Sequence, residues 1–409
     1  MPSETIELRG HIIDSLILPK VLDEIIAREA TFKISEIRIG EQRADQSFAR
    51  IEVAASSADA LDELVLRLRQ HGAEVKEKKN VQLAAAPADG VYPQGFYVTT
   101  SQRTFVRVDD SEIEVHPALK NSAVVVDRAM KSASAKKFYE IKRGMQVVVG
   151  HQGIRVAPLQ RLTDRADAFE LITGSISADR PKSALIREVA RELRRVREEK
   201  GRILFVTGPA VLETGAAEYL EKLIEEGLVQ VLVAGNAFAA QDIERALFER
   251  SDGAWAEPAG ATQGLSQTQL QATNAIRGAG GIRQAVANGL LQKGIMHRCV
   301  KRGVDFVLAG SIRDEGPLPE VLTDAIEAQK TMREKLEGVS FAVMVASMLH
   351  SIAVENLLAA TVKTLCVDID PGVISRLTNR GPFHTIGLVT DAESFLRDLS
   401  ESVSSASTR

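Results

Sequence analysis

The chain has 409 residues, 44% hydrophobic and 26% charged, which is apolar material enough for two or three domains. Lys plus Arg number 51 and Asp plus Glu 55, a net charge of −4, so the basic excess of a dedicated nucleic-acid binder is missing. Two cysteines without CxxC spacing exclude a disulfide framework and a thiolate zinc site; there is no long apolar run for a membrane span, and residues 1–10, with Glu4, Glu7 and Arg9, make no secretory signal. A cytoplasmic α/β protein without a metal is the expectation.

In chain order, residues 4–10 read as a strand and 19–29 as a helix through Val21, Leu22, Ile25 and Ile26. Residues 32–40 and 47–54 alternate as half-buried strands, with Ile34, Ile37 and Ile39, or Phe48, Ile51 and Val53, inward. Residues 57–71 form an amphipathic helix with Leu61, Leu64 and Leu68 on one stripe and Ser56 or Ser57 as cap, and 75–84 close the series as a strand. The order βαββαβ predicts a ferredoxin-like module over 1–86, an arrangement that often oligomerises or binds small molecules.

Over 87–160 the helical period vanishes and turn residues punctuate short β-branched runs at 105–108, 123–126 and 147–149, which predicts a small β-rich module. A charged stretch at 161–167 and a basic helix at 183–200 follow. Buried apolar strands are then expected at 202–207, 229–234, 305–309, 341–346, 364–369 and 384–389, alternating with helices such as 213–226, 319–335 and 391–399. Continuous apolar strands between helices imply a parallel sheet covered on both faces, so 180–400 reads as a doubly wound domain and 401–409 as a disordered tail.

Ligands of such sheets bind beyond the strands' carboxyl ends. Gly, Ser, Asn and Asp gather there, at 207–210, 234–237, 309–314, 347–351, 368–371 and 390–391, either as a dinucleotide site or as ordinary turn and cap residues. Asp368 and Asp370 close the strand TLCVDID. A carboxylate there accepts ribose hydroxyls and favours NAD over NADP, while Asp370 also suits the cap of a helix beginning at Pro371. Gly278-Ala279-Gly280-Gly281 follows a helical pattern instead of a strand, so it reads as a loop between helices and not as a cofactor fingerprint. Arg313 and Asp314, in AGSIRDEGPLPE, suit a carboxylate clamp and a proton or cofactor contact, or else a surface ion pair. His350 is a pocket acid or base, or a structural histidine. Cys299 reads as a buried small hydrophobe.

The strings RGHIIDSLILPKVLDEII, APADGVYPQGFYVTT, VVVGHQGIRVAP, AGNAFAAQDIE, GIMHRCVKRGVDFVLAGSIRDEGPLPEVLTDAIEAQ, MLHSIAVEN and CVDIDP together resemble the LOR/SDH conserved-domain family, over residues 5–400. That family includes archaeal-type ornithine cyclodeaminases and the C-terminal part of cyanobacterial arginine dihydrolase/ornithine cyclodeaminase proteins. The resemblance implies a deoxyhypusine-synthase-like NAD-binding domain, a tightly held NAD, and conversion of L-ornithine to L-proline and ammonia by hydride transfer out and back. By motif match it implies cofactor contacts at Asn236, Ala237, Asp314, Ser347, Met348, Leu349, His350, Asp368 and Asp391, beside catalytic candidates Arg313, Asp314 and His350. An amino-acid substrate and a homo-oligomer are expected, with no nucleic-acid or membrane partner and no arginine-degrading half. Glu213, Gln241, Gln267 and Gln269 stand where the family pattern implies histidines, and glutamine cannot move protons near neutral pH. A changed amino-acid substrate, an NAD- or amino-acid-binding sensor, and a dehydrogenase with net hydride transfer therefore remain as alternatives.

Overall fold

The alternating strands and amphipathic helices of the first 75 residues form, in the computed structural model, β1 (Ser3–Gly10), α1 (Ile17–Ala27), β2 (Thr31–Arg38), β3 (Ser47–Ala54), α2 (Ala58–Gln70) and β4 (Glu74–Val75). The structure describes residues 2–10, 12–13, 17–40, 45, 47–75, 79–100, 102–157, 182–248, 267–314, 316–380 and 385–404. The chain divides into two units, Met1–Asp167 with Ala359–Thr361, and Ala168–Leu358 with Val362–Arg409.

In the first unit the strand order β2-β3-β1-β4 is that of a ferredoxin-like sheet. Ile6, Leu8, Ile51 and Val53 pack against Val21, Ile25, Leu64 and Leu68 of the two helices. Ser57 Oγ accepts the Ala60 N–H at 3.2 Å and so caps α2. Three expectations change here. Ile34, Ile37 and Ile39 are exposed, because β2 is the outermost strand and its core-side face is left open. Phe48 is buried, but on the opposite face from Ile51 and Val53, where the guanidinium groups of Arg9, Arg38 and Arg50 lie 4.9, 4.9 and 5.2 Å from its ring centroid. Residues 75–84 are split between two sheets: β4 pairs with β1, whereas β5 (Gln82–Ala85) pairs with a later strand at Gln146–Val149.

β6 (Arg103–Val108), β7 (Ser111–Glu114), β8 (Ala123–Asp127), β9 (Ser132–Lys136), β10 (Gln146–Val149) and β11 (Ile154–Ala157) complete the β-rich part as two small sheets, β5-β10-β8-β9 and β11-β6-β7. Val106, Val124, Val148 and Tyr97 form its core. The charged stretch 161–167 lies outside the described residues.

The second unit contains α3 (Lys182–Glu198), β12 (Arg202–Thr207), α4 (Ala210–Glu213), α5 (Ala217–Glu225), β13 (Val231–Gly235), α6 (Asn236–Phe248), α7 (Gln267–Ala279), α8 (Ile282–Ala287), α9 (Ile295–Arg302), β14 (Asp305–Ala309), β15 (Val321–Leu322), α10 (Ala325–Lys335), β16 (Val339–Val345), α11 (Met348–Glu355), β17 (Lys363–Asp368), α12 (Pro371–Arg380), β18 (Thr385–Val389) and α13 (Ala392–Ser404). Its seven strands are all parallel, in the order β15-β14-β13-β12-β16-β17-β18. Helices cover both faces, so Ile203, Leu204, Phe205 and Val206 are all fully buried, and each large apolar side chain contributes about 1.5–3 kcal/mol.

The helix expected at 213–226 is broken by Gly215, whose φ is 82°, into α4 and α5. The one expected from 319 begins only at Ala325, because Asp324 Oδ1 accepts the N–H groups of Ile326 and Glu327 at 2.8 Å and residues 321–322 join the sheet as β15. Of the Gly278–Gly281 segment, Gly278 and Ala279 close α7 and only Gly280 and Gly281 link it to α8, so it joins two helices as its context predicts but with a shorter loop. The tail expected to be disordered from 401 is helical through Ser404, with Val403 buried, since α13 packs on α3; residues 405–409 lie outside the described residues. Among the described residues no helix is long and apolar enough to cross a membrane.

Candidate functional site

The second sheet runs outward in both directions from its middle: β13 to β15 lie on one side of β12, and β16 to β18 on the other. A reversal of this kind is where open α/β sheets leave a crevice for ligands beyond the strands' carboxyl ends. Here the loops after β12 and β16 meet closely at its base. A Cβ on Gly208 would lie 1.8 Å from the Ala346 carbonyl oxygen and 3.2 Å from Ser347 Cβ. Ala346 itself has φ 50°, a strained conformation for a residue with a side chain, and its N–H donates to the Val367 carbonyl at 2.9 Å.

His350 sits in the first turn of α11, and its ring reaches across the ends of β13 and β14. A Cβ on Gly235 would lie 3.0 Å from its Cε1 and 3.2 Å from its Nε2. The ring bonds the Ala309 carbonyl, and Nδ1 lies 3.1 Å from Ser347 Oγ. With the ring N–H committed to Ala309, Nδ1 accepts from the Ser347 hydroxyl. Burial lowers the His350 pKa below its ordinary value, against the opposing pull of the Ala309 carbonyl and the Asp314 carboxylate, so the imidazole is neutral near pH 7.

The loop after β14 is folded on itself. Asp314 Oδ2 accepts the Ser311 N–H at 2.7 Å, and Ser311 Oγ accepts the Arg313 N–H at 3.0 Å. Arg313 is exposed, and among the described residues its guanidinium has no ion pair or hydrogen bond, so the Arg313–Asp314 surface pair does not form. Asn236, opening α6, accepts the Leu318 N–H through Oδ1 at 3.1 Å and draws that loop's far end toward β13; Ala237 follows it. On the other side of the crevice Asp368 Oδ1 accepts the Asp370 N–H at 2.9 Å, and Asp370 Oδ1 accepts the Gly372 N–H at 2.7 Å, so Asp370 caps α12 and Asp368 stays half-buried at the strand end. Asp391 caps α13 by accepting the Ser394 N–H at 2.8 Å, a bond that holds its carboxyl below the usual range. Met348, Leu349, Ile312 and Ile369 add exposed apolar side chains along the same edge. Every sequence-predicted residue thus lies at the carboxyl edge of one sheet, and Ser347, His350 and Asp314 cluster over its β13–β14 side.

The residues that sequence reasoning did not single out are mostly buried, Thr207 and Ser351 among them although both lie within the carboxyl-edge segments 207–210 and 347–351. The Thr207 hydroxyl, ending β12, and the Ser351 hydroxyl, on α11, are buried and have no hydrogen-bond partner among the described residues, an unusual condition for polar groups. In sequence Thr207 is only another β-former. Asp242 of α6, 2% exposed, accepts the N–H groups of Ile295 and Met296 at 2.9 and 2.8 Å, capping α9 from a distance. Burial pushes its carboxyl up to about 7 even so. The clue is that α9 begins after Lys293-Gly294 and has no capping side chain of its own, so an acceptor must come from elsewhere. Gln241 and Gln269 belong to the paired helices α6 and α7, and Glu213 is exposed on α4. Cys299 and Cys366 are both buried, which raises their thiol pKa values and makes them inert.

A hollow of about 340 Å³ lies at the opposite, amino-terminal edge of the sheet, lined by Arg202, Gln230, Arg302 and Asp305 among others. Its polar groups largely satisfy one another: Arg202 and Lys335 both hold Asp305 at 2.8 Å, and Gln230 bonds Ile203 N and Gly227 O at 2.8 Å. Structure, not ligand binding, accounts for it. Among the described residues no His, Cys, Asp and Glu side chains converge as a metal site.

A doubly wound parallel sheet with polar loops gathered at its switch point defines a nucleotide-binding α/β protein. Residues 187–399 match the family described as "Arginine dihydrolase ArgZ-like, C-terminal, Rossmann fold", residues 103–186 its "first region", and residues 3–102 the "LOR/SDH bifunctional enzyme conserved region". An ornithine cyclodeaminase of Methanopyrus kandleri is 45% identical over 396 residues, covering 97% of this chain and 96% of that protein. The apo crystal structure of ArgZ, an arginine dihydrolase from the cyanobacterial ornithine–ammonia cycle, superposes with a TM-score of 0.85 at 33% identity, covering 100% of this chain and 59% of ArgZ. The ternary complex of AgrE with ornithine and NAD+ does so with a TM-score of 0.51 at 34% identity, covering 100% of this chain and 58% of AgrE. The chain belongs to this LOR/SDH, ArgZ-like C-terminal family, and it spans little more than half of the two cyanobacterial proteins.

Proposed function

We propose that the protein is an NAD-dependent ornithine cyclodeaminase, converting L-ornithine to L-proline and ammonia. The observation that carries this reading is the 45% identity to the Methanopyrus kandleri ornithine cyclodeaminase over nearly the whole of both chains. The AgrE relative solved with ornithine and NAD+ supports both cofactor and substrate. The crevice suits a dinucleotide: Gly208 and Gly235 let the loop after β16 and the His350 ring pack closely on the strand ends, Asn236 opens a helix there, and Asp368 offers a carboxylate to ribose hydroxyls while repelling a 2′-phosphate. Ala237, Asp314, Ser347, Met348, Leu349 and Asp391 complete the proposed cofactor contacts.

Bound NAD supplies a hydride acceptor and, later in the same turnover, a hydride donor. Between these events the δ-amine closes on the α-carbon and ammonia departs. Arg313, whose guanidinium has no partner among the described residues, grips the substrate carboxylate through paired N–H donors. Neutral His350 takes a proton from the attacking amine through the Ser347 hydroxyl, which passes its own proton to Nδ1 as it accepts the amine's, and returns one to the departing nitrogen by the same path. Asp314 steadies the imidazolium formed in between. Because this proton path runs through His350, glutamine at 241, 267 and 269 does not remove it.

The test begins with the purified protein, denatured to identify any released nucleotide. Fresh protein is then given L-ornithine while proline, ammonia and reduced-nicotinamide absorbance are followed. NAD in the released fraction, proline and ammonia in equal amounts, and no net absorbance change are expected. Absorbance rising in step with substrate would replace this reading by a dehydrogenase, and NAD without product by a sensor.

A further inference from the structure

The outermost strand of the ferredoxin-like sheet is built unlike a protected edge. Of the eight residues of β2, all but Glu36 are exposed. Its pairing with β3 assigns the faces: Phe32, Ile34 and Ile37 stand opposite Val53, Ile51 and Ala49 on the core side, whereas Lys33, Glu36 and Arg38 stand opposite Glu52, Arg50 and Phe48 on the other. Phe32 and Ile34 are each 37% exposed and Ile37 44%, and Ile26 on α1 adds a further exposed apolar side chain. An edge that pairs with no further strand among the described residues, beside an exposed apolar face, is a template for another strand.

We propose that a second copy of this chain covers it, β2 pairing antiparallel with its counterpart about a two-fold axis between Ile34 and Ser35. The register follows from the strand itself. The pairing of β2 with β3 shifts at Ser35, an extra residue whose hydroxyl donates to the Arg50 carbonyl at 3.1 Å. The alternation of faces changes phase there, so only registers centred beside this bulge keep core-side residues opposite core-side residues along the whole strand. One of the two such registers sets Lys33 against the partner subunit's Arg38, a like-charge clash. The other sets Lys33 against the partner subunit's Glu36, Phe32 against the partner subunit's Ile37, and Thr31 against the partner subunit's Arg38. Each ion pair and each apolar pair then occurs twice, as a two-fold interface requires. The receiving carboxylate is already positioned, because Arg50 holds Glu36 at 2.5 Å and Arg38 holds it at 3.1 Å. The pairing joins two four-stranded sheets edge to edge and extends the apolar core side across the junction.

The experiment measures the mass of the full-length protein by light scattering and sedimentation, independently of any activity. The parent is expected to be a dimer or an even multiple. Lys33→Glu sets two carboxylates against each other at both ends of the interface, and the mass should halve while the melting temperature of the subunit fold is retained. A Phe32→Cys/Ile37→Cys double variant reports the register. Oxidation should give a covalent dimer on a non-reducing gel, whereas either single cysteine gives none, and the native Cys299 and Cys366 are buried and silent. A monomeric parent would overturn the proposal, as would an oligomer that Lys33→Glu leaves intact and the double cysteine variant does not cross-link.

Discussion

Replacing Gly235 with alanine adds one methyl group beside His350 and little else. Gly235 is not among the positive-φ residues, so the effect comes from contact alone. The new Cβ would lie 3.0 Å from Cε1 and 3.2 Å from Nε2 of the imidazole, where ordinary contacts between carbon atoms are about 3.5–4.0 Å. The ring must therefore retreat by about 0.5 Å to restore normal contact. The Ser347 Oγ–His350 Nδ1 distance, 3.1 Å, then lengthens toward the limit of hydrogen bonding, and the bond to the Ala309 carbonyl is strained with it. A 1 Å misplacement costs about 10²-fold in rate, so this shift should lower kcat for proline formation about tenfold. Overpacking of one methyl should cost about 1 kcal/mol of stability, well short of unfolding the domain. The assay is steady-state proline and ammonia production with L-ornithine, alongside thermal unfolding of the same preparation. Unchanged kcat would refute the proton role of His350, and so would a loss of activity explained entirely by unfolded protein.

Arg313→Ala should raise KM for ornithine about 100-fold or more while NAD stays bound, since a two-point charge-assisted contact is lost; nucleotide release on denaturation checks the second half. Asp368→Ala should weaken NAD about 10- to 100-fold and narrow its advantage over NADP, as measured by fluorescence titration; an unaltered dissociation constant would remove Asp368 from the site. Asp242→Ala leaves the Ile295 and Met296 N–H groups without acceptors and should cost about 2–4 kcal/mol in urea unfolding, with Asp242→Asn losing less because one acceptor remains. The His350 pKa is lowered on folding, so the unfolded chain binds its proton first. The stability this group contributes is therefore complete above about pH 6.5 and is lost as pH falls from there through the folded pKa. The acid limb of kcat should lie below pH 6.5 as well, and a limb at or above about 6.5 would contradict the assignment.

The parallel sheet was legible because its strands are buried on both faces and cannot carry polar residues: RILFVT and FAVMV admit few other readings. The carboxyl-edge loops were legible for the complementary reason, since polar and small residues appear where each apolar run stops. What escaped depends on partners distant in sequence. Asp242 caps a helix that begins 53 positions further on, and no local pattern connects the two. The ring of His350 lies against Gly235 and the Ala309 carbonyl, which only the folded sheet brings together. In β2 the alternation was correct and the inference of burial was not, because period alone does not say whether a helix covers that part of the face.

The contact between Gly208 and the Ala346 carbonyl bears on how this domain tolerates recombination. It lies where the two halves of the sheet meet, and it matches a residue without a side chain to a residue held at φ 50°. A chimera whose crossover falls between residues 208 and 346 inherits the two from different parents. If the donor of the first segment carries any side chain at 208, the hybrid must displace a backbone carbonyl at the floor of the crevice, however well the remaining sequence matches. Exchanges that move both residues together keep the floor intact, which makes this pair the first thing to preserve when substrate loops are grafted between relatives.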